Sequence, residues 1–196
     1  MSLTKEDKEE ISKIIVTELK KIMPAFACNM DEAVDKNASE VANQCKEWDE
    51  NAIETGLGFK VAPADLVIDN QEYFTWYEAM EIEKKYLRPN GWRLPTCSEW
   101  YQLVGKFGLD EDGGDAPDKF LEKFEMERKG YYDITGFLCV QGAYGYWWSS
   151  TVRSDTNSRN LRACSSVLYP QYSNDKSLGL SVRCVSDSSE DRRSEL

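Results

Sequence analysis

The stretch Asn90–Val104, NGWRLPTCSEWYQLV, holds a turn, an extended link and a helix start in a short length of chain. Arg88-Pro-Asn-Gly91 is a turn signal. Thr96 or Ser98 can cap a helix whose inner face would be Trp100, Leu103, Val104 and Phe107. Cys97 opens that helix, and a cysteine at a helix start can carry a lowered pKa and act as a nucleophile. The stretch therefore reads either as an active site or as scaffold, and the rest of the chain decides between them.

The chain has 196 residues and a net charge of −11. That length allows one or two domains with a real core. The acidic balance is opposite to the one that neutralises phosphates, so no nucleic-acid partner is expected. An anionic membrane would repel it too, and no apolar run approaches a membrane span. There is no histidine. This removes the commonest general base, the usual base for a Cys or Ser nucleophile, and the commonest zinc ligand. None of the six cysteines (28, 45, 97, 139, 164, 184) falls in a C-x-x-C pair, so no metal or cofactor is expected. No signal peptide is visible in MSLTKEDKEE, which predicts reduced thiols in a cytoplasmic or virion protein, or a cell-surface one if a leader is missing.

Outward from the opening stretch, the N-terminal side is helical. Thr4 and Asp7 have capping-box spacing, and Ile11, Ile14, Ile15, Leu19 and Ile22 mark one face before Pro24 stops the run. In the next segment Val34, Ala38, Val41, Cys45, Trp48 and Ala52 recur at heptad steps. That stripe serves either a neighbouring helix of the same chain or an oligomerisation stalk. TGLGFK (55–60) punctuates, an Asp-Asn turn follows, and WYEAMEIEKKYL reads as a short helix on Trp76, Ala79, Met80 and Glu83. The acidic loop GLDEDGGDAPDKF lacks the residue order and closing Glu of an EF-hand. FLEKFEMERKG reads as a brief helical piece, and the sequence is β-like from Tyr131 onward. Trp147 and Trp148 are adjacent, so a strand points them to opposite faces; one is core and the other is either core or binding surface. The order predicts an α+β fold: a helical hairpin or stalk (1–56), a domain of two helices and small antiparallel sheets (57–187), and a polar tail (188–196).

Four motifs, YFTWYEAM, PNGWRLPTCSEWYQLV, GYWWSST and GLSVRCV, occur in this order. Together they resemble the Fibrobacter succinogenes major paralogous domain, over roughly residues 59–187. The resemblance implies a C-type-lectin-like fold, distantly similar to formylglycine-generating-enzyme-like domains, with an irregular excursion before the last strand. Its setting would be surface proteins of gut bacteria and their phages, some of them variable proteins of diversity-generating retroelements. Family members commonly carry a Cys before the Gly-Trp pair, expected to bridge to the Cys of the last strand; YLRPNGW has none, so Cys184 lacks that partner. The cysteine pair expected for copper in a formylglycine-generating enzyme is absent as well, so Cys97 is read as structural and no catalytic residue is assigned. Arg93, Glu99 and Arg183 are read as structural, with Arg93 pairing to Glu99 or to carbonyls of the last strand.

The binding candidate is the polar segment 153–177, RSDTNSRNLRACSSVLYPQYSNDKS. Tyr gives rigid amphipathic area, and Ser or Asn gives adaptable hydrogen bonds. The ligand-binding residues expected there are Arg153, Asp155, Asn157, Arg159, Asn160, Arg162, Tyr169, Tyr172, Asn174 and Asp175. The expected function is a non-enzymatic binding module for a cell-surface glycan or protein. It would be a homo-oligomer through the N-terminal helices, with a trimer the form that supplies avidity. The alternatives are a structural virion or assembly protein with no small ligand and, less favoured, an enzyme similar to the formylglycine-generating enzymes.

Overall fold

The computed structural model describes residues 24–110 and 113–188. The first expected helix, two residues of the acidic loop and the tail beyond 188 lie outside the described residues. The chain divides between Glu40 and Val41 into two compact units. Among the described residues the second unit is mixed α+β, with short helices and small antiparallel sheets. No described helix is long and apolar enough to cross a membrane.

Helix α1 (Pro24–Asn51) carries the heptad-spaced stripe. Val41, Cys45 and Trp48 are all buried in the core of the second unit, where Trp48 meets Trp92 edge-on at 5.3 Å. For these positions the stripe is spent inside the chain. The turn TGLG then links β1 (Ile53–Glu54) to β2 (Phe59–Val61), with Gly56 and Gly58 both at positive φ. The last strand, β8 (Val185–Asp187), pairs antiparallel on the other side of β2, so the two ends of the unit are tied together. The Asp-Asn turn is formed by Asp69 and Asn70 at φ 50° and 65°, a conformation these two residue types tolerate.

Helix α2 (Trp76–Ile82) starts on a Thr75–Glu78 capping box and runs into a wide π turn and a 3₁₀ turn that ends at Gly91. Helix α3 (Cys97–Phe107) is capped by Thr96, the first of the two expected positions, in a second capping box with Glu99. Trp100, Leu103 and Val104 are buried as their spacing predicts. Helix α4 (Pro117–Lys123) begins earlier and is shorter than its sequence suggested; Pro117 suits a first turn, and Glu125 is at positive φ just beyond the end.

Two hairpin systems follow. Strands β3 (Tyr131–Tyr132) and β4 (Leu138–Cys139) form a short ribbon. Strands β5 (Gly145–Val152), β6 (Asn157–Ala163) and β7 (Leu168–Asp175) form an antiparallel sheet in that order. This corrects the expectation for residues 153–177: most of the polar excursion is regular β-hairpin and not loop. Its residues are polar because the second face of the sheet is only partly covered, and polarity masked the pairing. LGLSVRCV is a strand only from Val185; Leu180 and Ser181 make isolated bridges to Phe74 and Trp147.

The sheet separates two cores. One, beneath α1 and α2, gathers Trp48, Phe74, Trp92, Trp148 and Val182. The other, beneath α3 and α4, gathers Trp100, Phe120, Phe124, Trp147 and Leu161. Trp147 and Trp148 are both fully buried, so the face left open by the sequence is also core at this point of the strand. Arg183 is buried between these layers and is fully engaged: Nε donates to Asp65 Oδ1 at 2.8 Å, and its other nitrogens reach the carbonyls of Ala62, Phe124 and Glu125.

Candidate functional site

The register across β5, β6 and β7 places side chains in rows, because directly opposed residues share a face. One row is Tyr146–Arg162–Tyr169 and the next is Trp148–Asn160–Tyr172, on the same face. Trp148 and Asn160 are buried, but the rows emerge toward β7, where Tyr169 is 41% and Tyr172 is 36% exposed. At this emerging corner lies the site.

Arg162 stands in a cage of tyrosines. Its guanidinium is 4.5 Å from the ring centre of Tyr144, 4.8 Å from Tyr172 and 5.1 Å from Tyr169. Tyr146 closes the floor, 6.2 Å from Tyr144 and 6.4 Å from Tyr172, and Tyr131 of β3 meets it edge-on at 5.3 Å. A guanidinium over ring faces is attracted by the ring quadrupole, about 0.5–2 kcal/mol per ring depending on desolvation. Burial pushes the Tyr146 hydroxyl up to about 12; Arg162 pulls it down, and the neighbouring tyrosines reinforce the rise. The Arg162 Nε–H is buried and finds no acceptor within the protein.

Beside the cage, a cleft of about 280 Å³ is lined by Tyr101, Leu168, Tyr169, Pro170, Gln171 and Tyr172. It follows the free edge of β7 at a bulge: two steps on β6, Asn160 to Arg162, oppose three on β7, Tyr172 to Tyr169. The edge is already used at that point. Pro170 has no N–H, its carbonyl accepts the Cys97 thiol at 3.7 Å, and the Gln171 carbonyl accepts Arg159 Nη1 at 2.8 Å.

The ten residues expected from sequence fall into separate places. Arg162, Tyr169 and Tyr172 come together in the cage. Arg159 and Arg153 lie toward the opposite face of the sheet, where Arg153 also donates to the Ser173 hydroxyl. Asn160 is fully buried and donates to Asn174 Oδ1 at 2.9 Å, so this pair links the two strands. At the far end of the hairpin Asn157 and Asp175 pair across β6 and β7, and Asp155 lies in the turn before β6. There Asp175 accepts from the Ser177 N–H and hydroxyl, bonds that hold its carboxyl below the usual range. Sequence reasoning missed Tyr144, Tyr146 and Tyr101. Tyr144, Tyr146 and Trp148 recur at every second position, the strand period that would have placed them on one face.

Charge pairing separates the site from its surroundings. Among the described residues Arg88, Arg93, Arg128 and Arg183 each pair with a carboxylate: Glu83, Glu99 with Asp187, Asp118 and Asp65. Arg153, Arg159 and Arg162 do not; their contacts are a hydroxyl, a carbonyl and tyrosine rings. Among the described residues, the arginines without a carboxylate partner are confined to this hairpin and the turn before it.

Cys97 is buried, and burial raises its thiol despite the nearby charge of Arg159. Its backbone N–H donates to Thr151 Oγ1 at 2.9 Å, so the helix start is bound to β5. Among the described residues no cluster of His, Cys, Asp or Glu could hold a metal ion. Compared with known proteins, the chain matches no family model and no curated protein.

Proposed function

We propose that this chain is a non-enzymatic binding module with a C-type-lectin-like head, which engages a cell-surface glycan or protein through the outer face of the β6–β7 hairpin. The observation that carries the reading is the Arg162 cage: exposed tyrosines arranged around a cation with no carboxylate partner, beside an open cleft. Aromatic rings with a few convergent polar groups are what a recognition surface uses. The lectin-like fold is supported by the two short helices, the small antiparallel sheets and the pairing of the first and last strands. The motif resemblance to the Fibrobacter succinogenes major paralogous domain supports the same fold, and with it a bacterial-surface or phage-virion setting. Oligomerisation, if a trimer forms, draws on the N-terminal segment, because Val41, Cys45 and Trp48 are occupied within the chain.

A second reading, an assembly protein of a virion, draws on a different feature. The β3–β4 ribbon exposes Ile134, Phe137, Leu138 and Val140, apolar side chains that a subunit contact would cover.

The two are separated by Tyr169→Ala/Tyr172→Ala, which removes exposed rings and leaves the two cores intact. Under the binding reading, the purified full chain loses binding to bacterial cells in a flow-cytometry assay while its thermal unfolding midpoint holds. Unchanged cell binding would remove the hairpin face from consideration.

A further inference from the structure

We infer that the tyrosine face recognises a sugar bearing a carboxylate, with Arg162 taking the carboxylate and Tyr169 and Tyr172 taking the flat C–H face of the sugar ring. This deepens the binding reading above and rests on it.

The charge argument comes first. Arg162 fills the centre of its own cage, so a cationic ligand meets like charge at 4.5–5.1 Å from the rings it would need. A guanidinium presents planar, paired donors matched to a carboxylate. Each of the four arginines elsewhere among the described residues has found such a partner in the protein, and Arg162 has not. Its neighbours are hydroxyl-bearing rings, which hold the cation in place and supply no negative charge.

The shape argument separates sugar from peptide. An extended peptide gains affinity by pairing its main chain with a free sheet edge. At the cleft the β7 edge offers little of this: Pro170 has no donor, and the carbonyls of Pro170 and Gln171 are engaged by Cys97 and Arg159. What remains open is ring surface and hydroxyl, from Tyr101, Tyr169 and Tyr172. Ring faces pack against the C–H face of a pyranose, and phenolic hydroxyls exchange hydrogen bonds with its hydroxyls.

The test uses the full chain and immobilised oligogalacturonate, its methyl ester, a sulfated oligosaccharide and an aspartate-rich peptide. The ester keeps the sugar and removes the charge, so the wild-type protein alone gives the first answer. Binding to the oligogalacturonate that falls at least about tenfold on esterification is the expected result, the scale of one charge-assisted pair. Arg162→Gln then abolishes the difference between acid and ester, and Arg162→Lys restores only part of it. Tyr169→Ala, at an exposed edge position, weakens both sugars alike. Equal binding of acid and ester overturns the carboxylate assignment while leaving the tyrosine surface as a binding face. Preference for the peptide or the sulfated sugar overturns the ligand class, and binding to none of the probes overturns the inference outright. Only loss of the Tyr169/Tyr172 dependence of cell binding would overturn the underlying reading.

Discussion

Trp147 and Trp148 are neighbours in the chain and lie in two different cores, each fully buried. Strand alternation sends one ring toward α3 and α4 and the other toward α1 and α2. Each indole N–H is also satisfied, Trp147 by Asp65 at 3.2 Å and Trp148 by the Phe74 carbonyl at 2.8 Å. Replacing either with Ala should cost about 3–5 kcal/mol, measured by urea denaturation. The two losses report on separate cavities. A near-zero loss at either position would mean that its core is not packed as described.

Gly145 is held open by the same tryptophan. A Cβ there would stand 2.2 Å from the Trp147 ring, and that ring is walled in by the second core. Gly145→Ala should destabilise by about 1–3 kcal/mol through overpacking. Gly136, with open space around its Cβ position, is the control for an equally conservative change; its positive φ of 84° adds a backbone cost of its own.

Arg93 joins α3 to the last strand. Its Nη1 and Nη2 donate to the two oxygens of Glu99 at 2.9 and 2.7 Å, and Nη2 also reaches Asp187 of β8 at 2.6 Å. Burial works to raise the Glu99 carboxyl, but Arg93 and the Thr96 cap outweigh it and hold it below the ordinary value. A carboxyl with a depressed folded pKa contributes stability that is present above its unfolded pKa of about 4.3 and is lost as pH falls through the folded one. The acid limb of stability should therefore steepen below about pH 4 in the wild type and flatten in Glu99→Gln. Arg93→Ala should cost about 1–3 kcal/mol at neutral pH, discounted because the pair is partly solvated.

The free thiols differ in reach. Burial raises Cys97, lifts Cys45 to about 11 and carries Cys184 well above the usual range. Cys164 is the reverse: hydrogen bonds from Ser166 and Val167 outweigh its slight burial and lower it. Iodoacetamide at pH 8, followed by peptide mass spectrometry, should label Cys164 first. Cys45, Cys97 and Cys184 should stay unmodified until the protein unfolds. Rapid labelling of Cys97 would reopen the reading of that residue as a nucleophile.

Asn174 carries a structural load that its polarity hid. Removing it by Asn174→Ala strips the acceptor from Asn160, whose own Oδ1 is buried without a partner. The expected loss is about 1–3 kcal/mol of stability by thermal or chemical unfolding. A ligand assay on this variant would confuse unfolding with lost contact, which is why the tyrosines are the better probes.

The starts of α2 and α3 were legible in the sequence, whereas that of α4 was not. The Thr96–Glu99 and Trp100–Leu103–Val104 patterns are local, and local patterns survive into the fold. The polar hairpin was legible only in part: residues 160–170 read as β-like, yet the polarity of 153–177 also suggested a loop. Ser158, Asn160 and Arg162 are polar, and it is their pairing with Val152, Trp148 and Tyr146 that fixes them as strand. For the same reason the site was found in part. Arg162, Tyr169 and Tyr172 stood out by type, whereas Tyr144 and Tyr146, which complete the cage, come from across the sheet, and Tyr101, which lines the cleft, comes from α3. Asn160 had the right chemistry and the right face, but it lies in the buried middle of its row.

Were the outer face of the β6–β7 hairpin a recognition surface, its freedom to change would be interrupted by buried positions on both faces of β6. Ser158, Asn160, Leu161 and Ala163 are buried, while Arg162, Tyr169 and Tyr172 face outward. New specificities would then be open at outward letters that alternate with buried ones along much of β6 and run together along β7 after Leu168. A library that randomised 153–177 throughout would consist mainly of unfolded chains, and one restricted to the outward letters would consist mainly of folded ones.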